Sequence, residues 1–296
     1  MIIYTQKVTK NALIYINEWE VSMLIDTHCH INMMVKNKFD QLLTQDDYLN
    51  AKKIVDEAYS NDVKLIINVG TSIIESINSI NLARKFSGIY ASIGIHPNDL
   101  TLNYKEDLNE LKNILLKSSK DKIVAIGECG LDFHYPDYNL NKQKDAFKYQ
   151  IDLALENNLA LIVHSRDAYD ETLEILNTFK DKNLRGTIHC FSYDLNFAKE
   201  AINLNFKLGI DAPITYPKNK NLVDIVQSLS LENIILETDA PFLPPQQIRG
   251  KQNHPLYLKS IAEFISKLKN ISYDNVAEIT TINAISLFDL EFNLNN

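Results

Sequence analysis

The sequence predicts an α/β fold of the (β/α)8 TIM barrel type, and three observations carry that expectation. Eight short apolar runs alternate with longer stretches whose apolar residues recur at helical spacing. The runs are apolar along their length instead of alternating with charge, as parallel strands covered on both faces must be. From Met23 to the C-terminus the chain has about the 250 residues that eight such units need. A doubly wound open sheet is the alternative, but no glycine-rich phosphate loop follows the first run.

Residues 1–22 show neither clean period and read as an N-terminal extension, dispensable to a domain spanning 23–296. The first run, LIDTH, starts at Leu24, and a helix follows around Asp47 to Asn61. KLIINVG then precedes a helix from Ser72 to Phe86, IYASIGIHP one from Lys105 to Lys117, and KIVAIGECG a long one from Asn141 to Asn157. LALIVHS leads to a helix from Ala168 to Phe179, RGTIHCF to one from Leu195 to Leu204, and FKLGI to one from Asn221 to Leu229. NIILETD is the eighth run, with helices after it. Gly70, Gly94, Gly127, Gly130, Gly186 and Gly209 all lie within or beside these runs, where backbone must turn or approach closely. No low-complexity tract or linker interrupts the series, so one domain is expected.

Composition narrows the function classes. With 38 acidic against 30 basic residues, a net charge of -8 argues against a protein that coats nucleic acid, so any phosphate grip must be local. Three scattered cysteines, Cys29, Cys129 and Cys190, make no disulfide framework and favour a reducing compartment. Each neighbours a candidate ligand and should face the helix layer as a small buried hydrophobe. No apolar run approaches the roughly 20 residues of a membrane span, so a soluble cytoplasmic protein is expected.

Chemistry concentrates where the runs end, the rim at which barrels carry their sites. In MLIDTHCHIN, His28 and His30 are two residues apart and share one strand face. A lone strand histidine is usually a satisfied structural residue; two at period two need a shared partner, of which a metal ion is the simplest. The fourth run ends in Glu128, the fifth in His164, the sixth in His189 and the eighth in Asp239. Four imidazoles and two carboxylates on one rim are donors enough for two divalent ions, with Zn, Mn, Co and Mg all open. His96 and His134 lie near the same rim as candidate substrate groups, and His96 reads equally well as a polar strand end before Pro97.

The blocks LIDTHCH, IGIHPND, AIGECGLDFH, LALIVHSRDA, GTIHCFS and ILETDAPFLPP with RGKQNHP occur in this order between Met23 and about Phe288. In them the chain resembles the TatD-like family of metal-dependent hydrolases and deoxyribonucleases, within the wider amidohydrolase-like group. The resemblance implies a two-metal barrel in which His28 and His30 hold one ion, His164 and His189 the other, Glu128 bridges, and Asp239 completes the first site. Two positions depart from the family pattern: Tyr193 stands where Gly commonly follows HCFS, and His254 stands where Glu commonly follows RGK-x-N.

Two neighbouring ions can activate a shared water and stabilise both oxygens of a displacement, so ester hydrolysis is the implied reaction class. By resemblance the substrate is DNA, attacked at a strand end in the 3′ to 5′ direction. Asp239 is the candidate proton acceptor and Glu128 the bridging catalytic carboxylate. Arg166, Arg249 and Lys251 are candidate phosphate-binding cations, with His254 near them; ordinary surface charge is their other reading. An acidic protein can grip one or two phosphates at an end, since affinity scales with the number neutralised. Hydrolysis of another ester or amide, such as an aminoacyl-tRNA or a small phosphodiester, and a non-catalytic metal-binding scaffold are the alternatives.

Overall fold

A computed structural model describes residues 23–36, 38–118 and 122–291. The extension expected at residues 1–22 lies outside them. Eight parallel strands run in chain order around one sheet: β1 (Leu24–Cys29), β2 (Val63–Val69), β3 (Ile89–Ile93), β4 (Ile123–Asp132), β5 (Ala160–Arg166), β6 (Gly186–Ile188), β7 (Phe206–Ile210) and β8 (Ile234–Leu236). Closure between β8 and β1 is narrow: a single bridge joins Cys29 to Ala240, with His30 N donating to Ala240 O and Asp239 N to His28 O. An open doubly wound sheet is thereby excluded, and the joint that closes the barrel threads through three of the predicted ligands.

Among the described residues, ten α-helices accompany the strands: α1 (Ile31–Met34), α2 (Gln45–Tyr59), α3 (Ile73–Lys85), α4 (Tyr104–Lys117), α5 (Leu140–Asn157), α6 (Tyr169–Asn177), α7 (Leu195–Asn203), α8 (Lys220–Ser228), α9 (Leu258–Lys269) and α10 (Tyr273–Phe288). Thr44 and Asp47 form a capping box on α2, while Ser72, Asn139, Asp194 and Ser272 cap α3, α5, α7 and α10 with their side chains. These starts satisfy backbone donors that a helix leaves orphaned. No described helix is long and apolar enough to cross a membrane.

The larger core lies between strands and helices, and a second cluster fills the lower barrel. There Ile25, Leu65, Ile67, Val124, Ile162 and Ile235 meet Ala284, Leu287 and Phe288 from the end of α10. That end is tied down where Arg185 Nε donates to Leu287 O and Tyr90 Oη to Glu291 O. The C-terminal helix thus stoppers the bottom of the barrel and leaves the opposite rim for chemistry.

Strand details differ from the sequence pattern. Leu24 and Cys29 belong to the outer core and Ile25 to the inner one, so alternation slips in β1, where its pairing with β2 shifts register. The slip lets one strand seat Ile25 in the lower core and still aim His28 and His30 inward. β4 continues past Gly130 to Asp132, which places Glu128 inside the strand, whereas β6 and β8 stop before His189 and Asp239. Gly130 has φ +144°, and a Cβ there would stand 2.0 Å from His164 O, so only glycine brings β4 this close to β5.

Candidate metal centre

Six side chains from five strand ends converge at the rim. His28 Nε2 lies 3.1 Å from His30 Nε2, 3.4 Å from Glu128 Oε2 and 3.7 Å from Asp239 Oδ1. His30 Nε2 is 3.8 Å from Glu128 Oε2 and 3.5 Å from Asp239 Oδ1. Donors about 2.1 Å from one ion at tetrahedral corners lie roughly 3.4 Å apart, and these four atoms bracket that spacing. The other oxygen of Glu128 faces a second set: Oε1 is 2.9 Å from His164 Nδ1 and 3.9 Å from His189 Nε2. His189 Nε2 is also 3.7 Å from Asp239 Oδ1, and its ring stacks on His28 at 3.5 Å. The donor chemistry and spacing fit a divalent ion at His28, His30 and Glu128, with Asp239 beside them, and further ligand atoms gather in His28, His189 and Glu237 and in His96, Asp132 and His164.

The remaining ring nitrogens are mostly engaged, which fixes the orientation of each imidazole. His30 Nδ1 is 3.1 Å from Val69 O, His164 Nε2 is 3.0 Å from Asp132 Oδ2, and His189 Nδ1 is 2.8 Å from Glu237 Oε1. Asn98 Nδ2 in turn donates to Asp132, and Cys190 N to Glu237. Neither Asp132 nor Glu237 was singled out from the sequence. The signal was there: Asp132 is four residues beyond Glu128, and Glu237 two before Asp239, the period of a shared strand face. Asp211, just past β7, was also missed; both its oxygens, Glu237 Oε2 and His28 Nδ1 are buried without a hydrogen-bond partner.

Electrostatics keep the two carboxylates ionised. Burial opposes charge on Glu128, yet the hydrogen bonds from His164 and His28 hold its carboxyl well below the usual range. Asp239 is likewise held down: against its burial stand the hydrogen bond from His30 and the nearby His189 and His28. Burial and His189 push the His28 pKa down. Burial and His164 take that of His96 to about 3, leaving these two imidazoles neutral. Against their burial, the carboxylates beside them push the other three up: Asp239 for His30, Asp132 and Glu128 for His164, and Glu237 for His189.

The other predicted residues separate. His96 joins the cluster, with Nε2 3.7 Å from Glu128 Oε1 and its ring 4.3 Å from His164. His134 stands outside the cluster, 3.0 Å from Asp167 Oδ2 on the rim. Arg166 ends β5 with its guanidinium 6.0 Å from the Tyr135 ring, and Arg249 lies 4.4 Å from the Tyr216 ring. His254 is not brought to the cluster: Nδ1 accepts from Leu256 N, and Nε2 faces Glu57 of α2 at 3.3 Å. Tyr193 braces two loops, its hydroxyl 2.9 Å from Ser165 Oγ and accepting from Ala168 N. Cys29 and Cys129 are fully buried, but Cys190, at φ +47°, is only partly so.

The sequence profile of the family described as TatD related DNase matches residues 25–289, nearly the whole barrel. The chain belongs to the TatD family. It is 35% identical over 266 residues to the uncharacterized metal-dependent hydrolase YabD of Bacillus subtilis, covering 90% of this chain and 99% of that protein. It is 30% identical to the uncharacterized metal-dependent hydrolase YcfH of Escherichia coli, over 90% of this chain and 96% of YcfH. The crystal structure of YjjV, a TatD homologue from Escherichia coli, superimposes with a TM-score of 0.82 at 27% identity, over 92% of this chain and all of that one. This TatD protein is thus a metal-dependent hydrolase of the barrel type.

Proposed function

We propose that this TatD protein is a deoxyribonuclease that hydrolyses phosphodiester bonds from the 3′ end of DNA, using two divalent ions. The observation that carries the reading is the divided carboxylate of Glu128, one oxygen facing His28 and His30 and the other facing His164. Divalent ions held by these residues would supply Lewis acidity, lowering the pKa of a bound water and offsetting charge on the attacked phosphate. Asp239, ionised and beside His28, His30 and His189, would accept the proton of the attacking water. Asp132 and Glu237 accept from His164 Nε2 and His189 Nδ1, so with an ion bound they would hold the tautomers that leave the inner nitrogens free to ligate; without one, His164 Nδ1 donates to Glu128 instead. Arg166, exposed at the exit of β5, grips a phosphate, with Arg249 as a second cation farther out on the rim. His96 is a neutral imidazole 3.7 Å from Glu128 Oε1, available to a substrate at the centre.

The test is purified protein loaded with Mg, Mn, Co or Zn against end-labelled single-stranded DNA, duplex DNA and charged tRNA, with Glu128→Gln as the control. Stepwise shortening from the 3′ end supports the reading. Deacylation of tRNA with intact DNA would instead make the chain a hydrolase of another ester on the same centre.

A further inference from the structure

Exposed aromatic rings gather on this protein, and most have a partner across their face. Among the described residues, Tyr59 carries the Lys64 ammonium 3.7 Å from its centroid, Tyr135 has Arg166 and His134 beside it, and Tyr138 stacks on Phe133. Phe242 differs. It is 48% exposed, and its one ring contact is an edge-to-face approach to His30, centroid to centroid 5.9 Å.

The turn that presents Phe242 is rigid. Phe242 N donates to Asp239 O at 2.8 Å, Asn253 N donates to Pro241 O, and the buried Asn253 amide donates to Thr238 O and Leu243 O. Four bonds therefore hold the backbone that presents a half-exposed ring, three residues after Asp239 and against His30. Leaving that much apolar surface in water forgoes burial that a polar residue would not need. A ring carried on so fixed a backbone is a platform for a planar partner, and every nucleobase offers a planar face.

Resting on the nuclease reading above, we infer that Phe242 is the base-stacking subsite for the terminal nucleotide of the DNA strand, setting which phosphodiester lies at the metal centre. Arg166, the exposed last residue of β5, holds the backbone. The substrate so recognised is an unpaired end, because a base in a duplex has its faces covered by its neighbours. Sequence tolerance follows, since stacking does not read base edges.

The test is a cycle between protein and substrate. Wild type and Phe242→Ala are each assayed on a single-stranded oligonucleotide with a natural 3′-terminal residue and on the same strand ending in an abasic residue. Wild type should lose roughly tenfold in kcat/KM on the abasic end, mostly in KM. Phe242→Ala should lose about as much on the natural end and show no further loss on the abasic one, with bound metal unchanged by elemental analysis. Phe242→Trp should restore the preference. Equal losses for the variant on both substrates, or loss of metal, would overturn stacking and make Phe242 a support for His30. Cleavage of neither strand by metal-loaded wild type would sink the nuclease reading itself and the inference with it.

Discussion

Glu128→Gln is the sharpest perturbation of the centre, because one carboxylate faces both halves. Its Oε2 lies 3.4 and 3.8 Å from His28 and His30, and its Oε1 2.9 Å from His164. Glutamine keeps the shape, but one oxygen becomes an amide nitrogen that cannot ligate, and the anion is lost to both sets. Changing a residue that merely orients a ligand costs about 10- to 100-fold in metal affinity. Losing a shared ligand should exceed that, so at least one ion should bind more than about a hundredfold less tightly, roughly 2.8 kcal/mol. Elemental analysis after gel filtration should read fewer ions per chain than wild type, and kcat on DNA should fall with them. Asp239→Asn is the contrast. Asp239 has φ +56°, a conformation asparagine tolerates, so the backbone is undisturbed and one oxygen ligand remains. Most metal should stay while the rate falls about a hundredfold or more, because the proton acceptor is gone. Should Asp239→Asn stay active, or shed metal as fully as Glu128→Gln, its role is coordination or packing, and the base must be sought at His96.

Other outcomes follow from particular contacts. Burial, with Glu237 and Asp239 nearby, pushes the Asp211 carboxyl up to about 8. A raised acid means the native state holds its proton more tightly than the unfolded chain, so in metal-free protein stability should fall as pH rises from about 4 to 8. Asp211→Asn should flatten that fall, raising the melting temperature at pH 8 with little change at pH 4; parallel curves for both proteins would refute it. Gly130→Ala should destabilise strongly, by about 3 kcal/mol or more in urea unfolding, since its Cβ would meet His164 O at 2.0 Å. Deleting residues 1–22 should leave melting temperature and activity nearly unchanged; insoluble protein would show that the segment covers the barrel.

Much of this centre was legible in the chain because strand ends report to one rim: once eight apolar runs alternate with helices, the residue closing each run shares a neighbourhood with the others. Period two paired His28 with His30, and the same rule extends from Glu128 to Asp132 and from Asp239 to Glu237. What it could not show is which side chain meets which across the barrel. His189 and Glu237 are 48 residues apart and meet at 2.8 Å, and Thr27 donates to Leu236 O across 209 residues. Such contacts exist only after closure. The sense of a side chain off a loop is also a tertiary decision: His254 reads from sequence as part of the mouth, yet a short turn caps itself on its imidazole and aims it at Glu57. The slip in β1 is of the same kind, since local propensity permits a regular strand and only the demand to fill the lower core with Ile25 while aiming His28 and His30 at the rim breaks the alternation. Donor identity is local chemistry written in the residues; their convergence around Glu128, and the exposed ring of Phe242 beside His30, belong to the closed barrel.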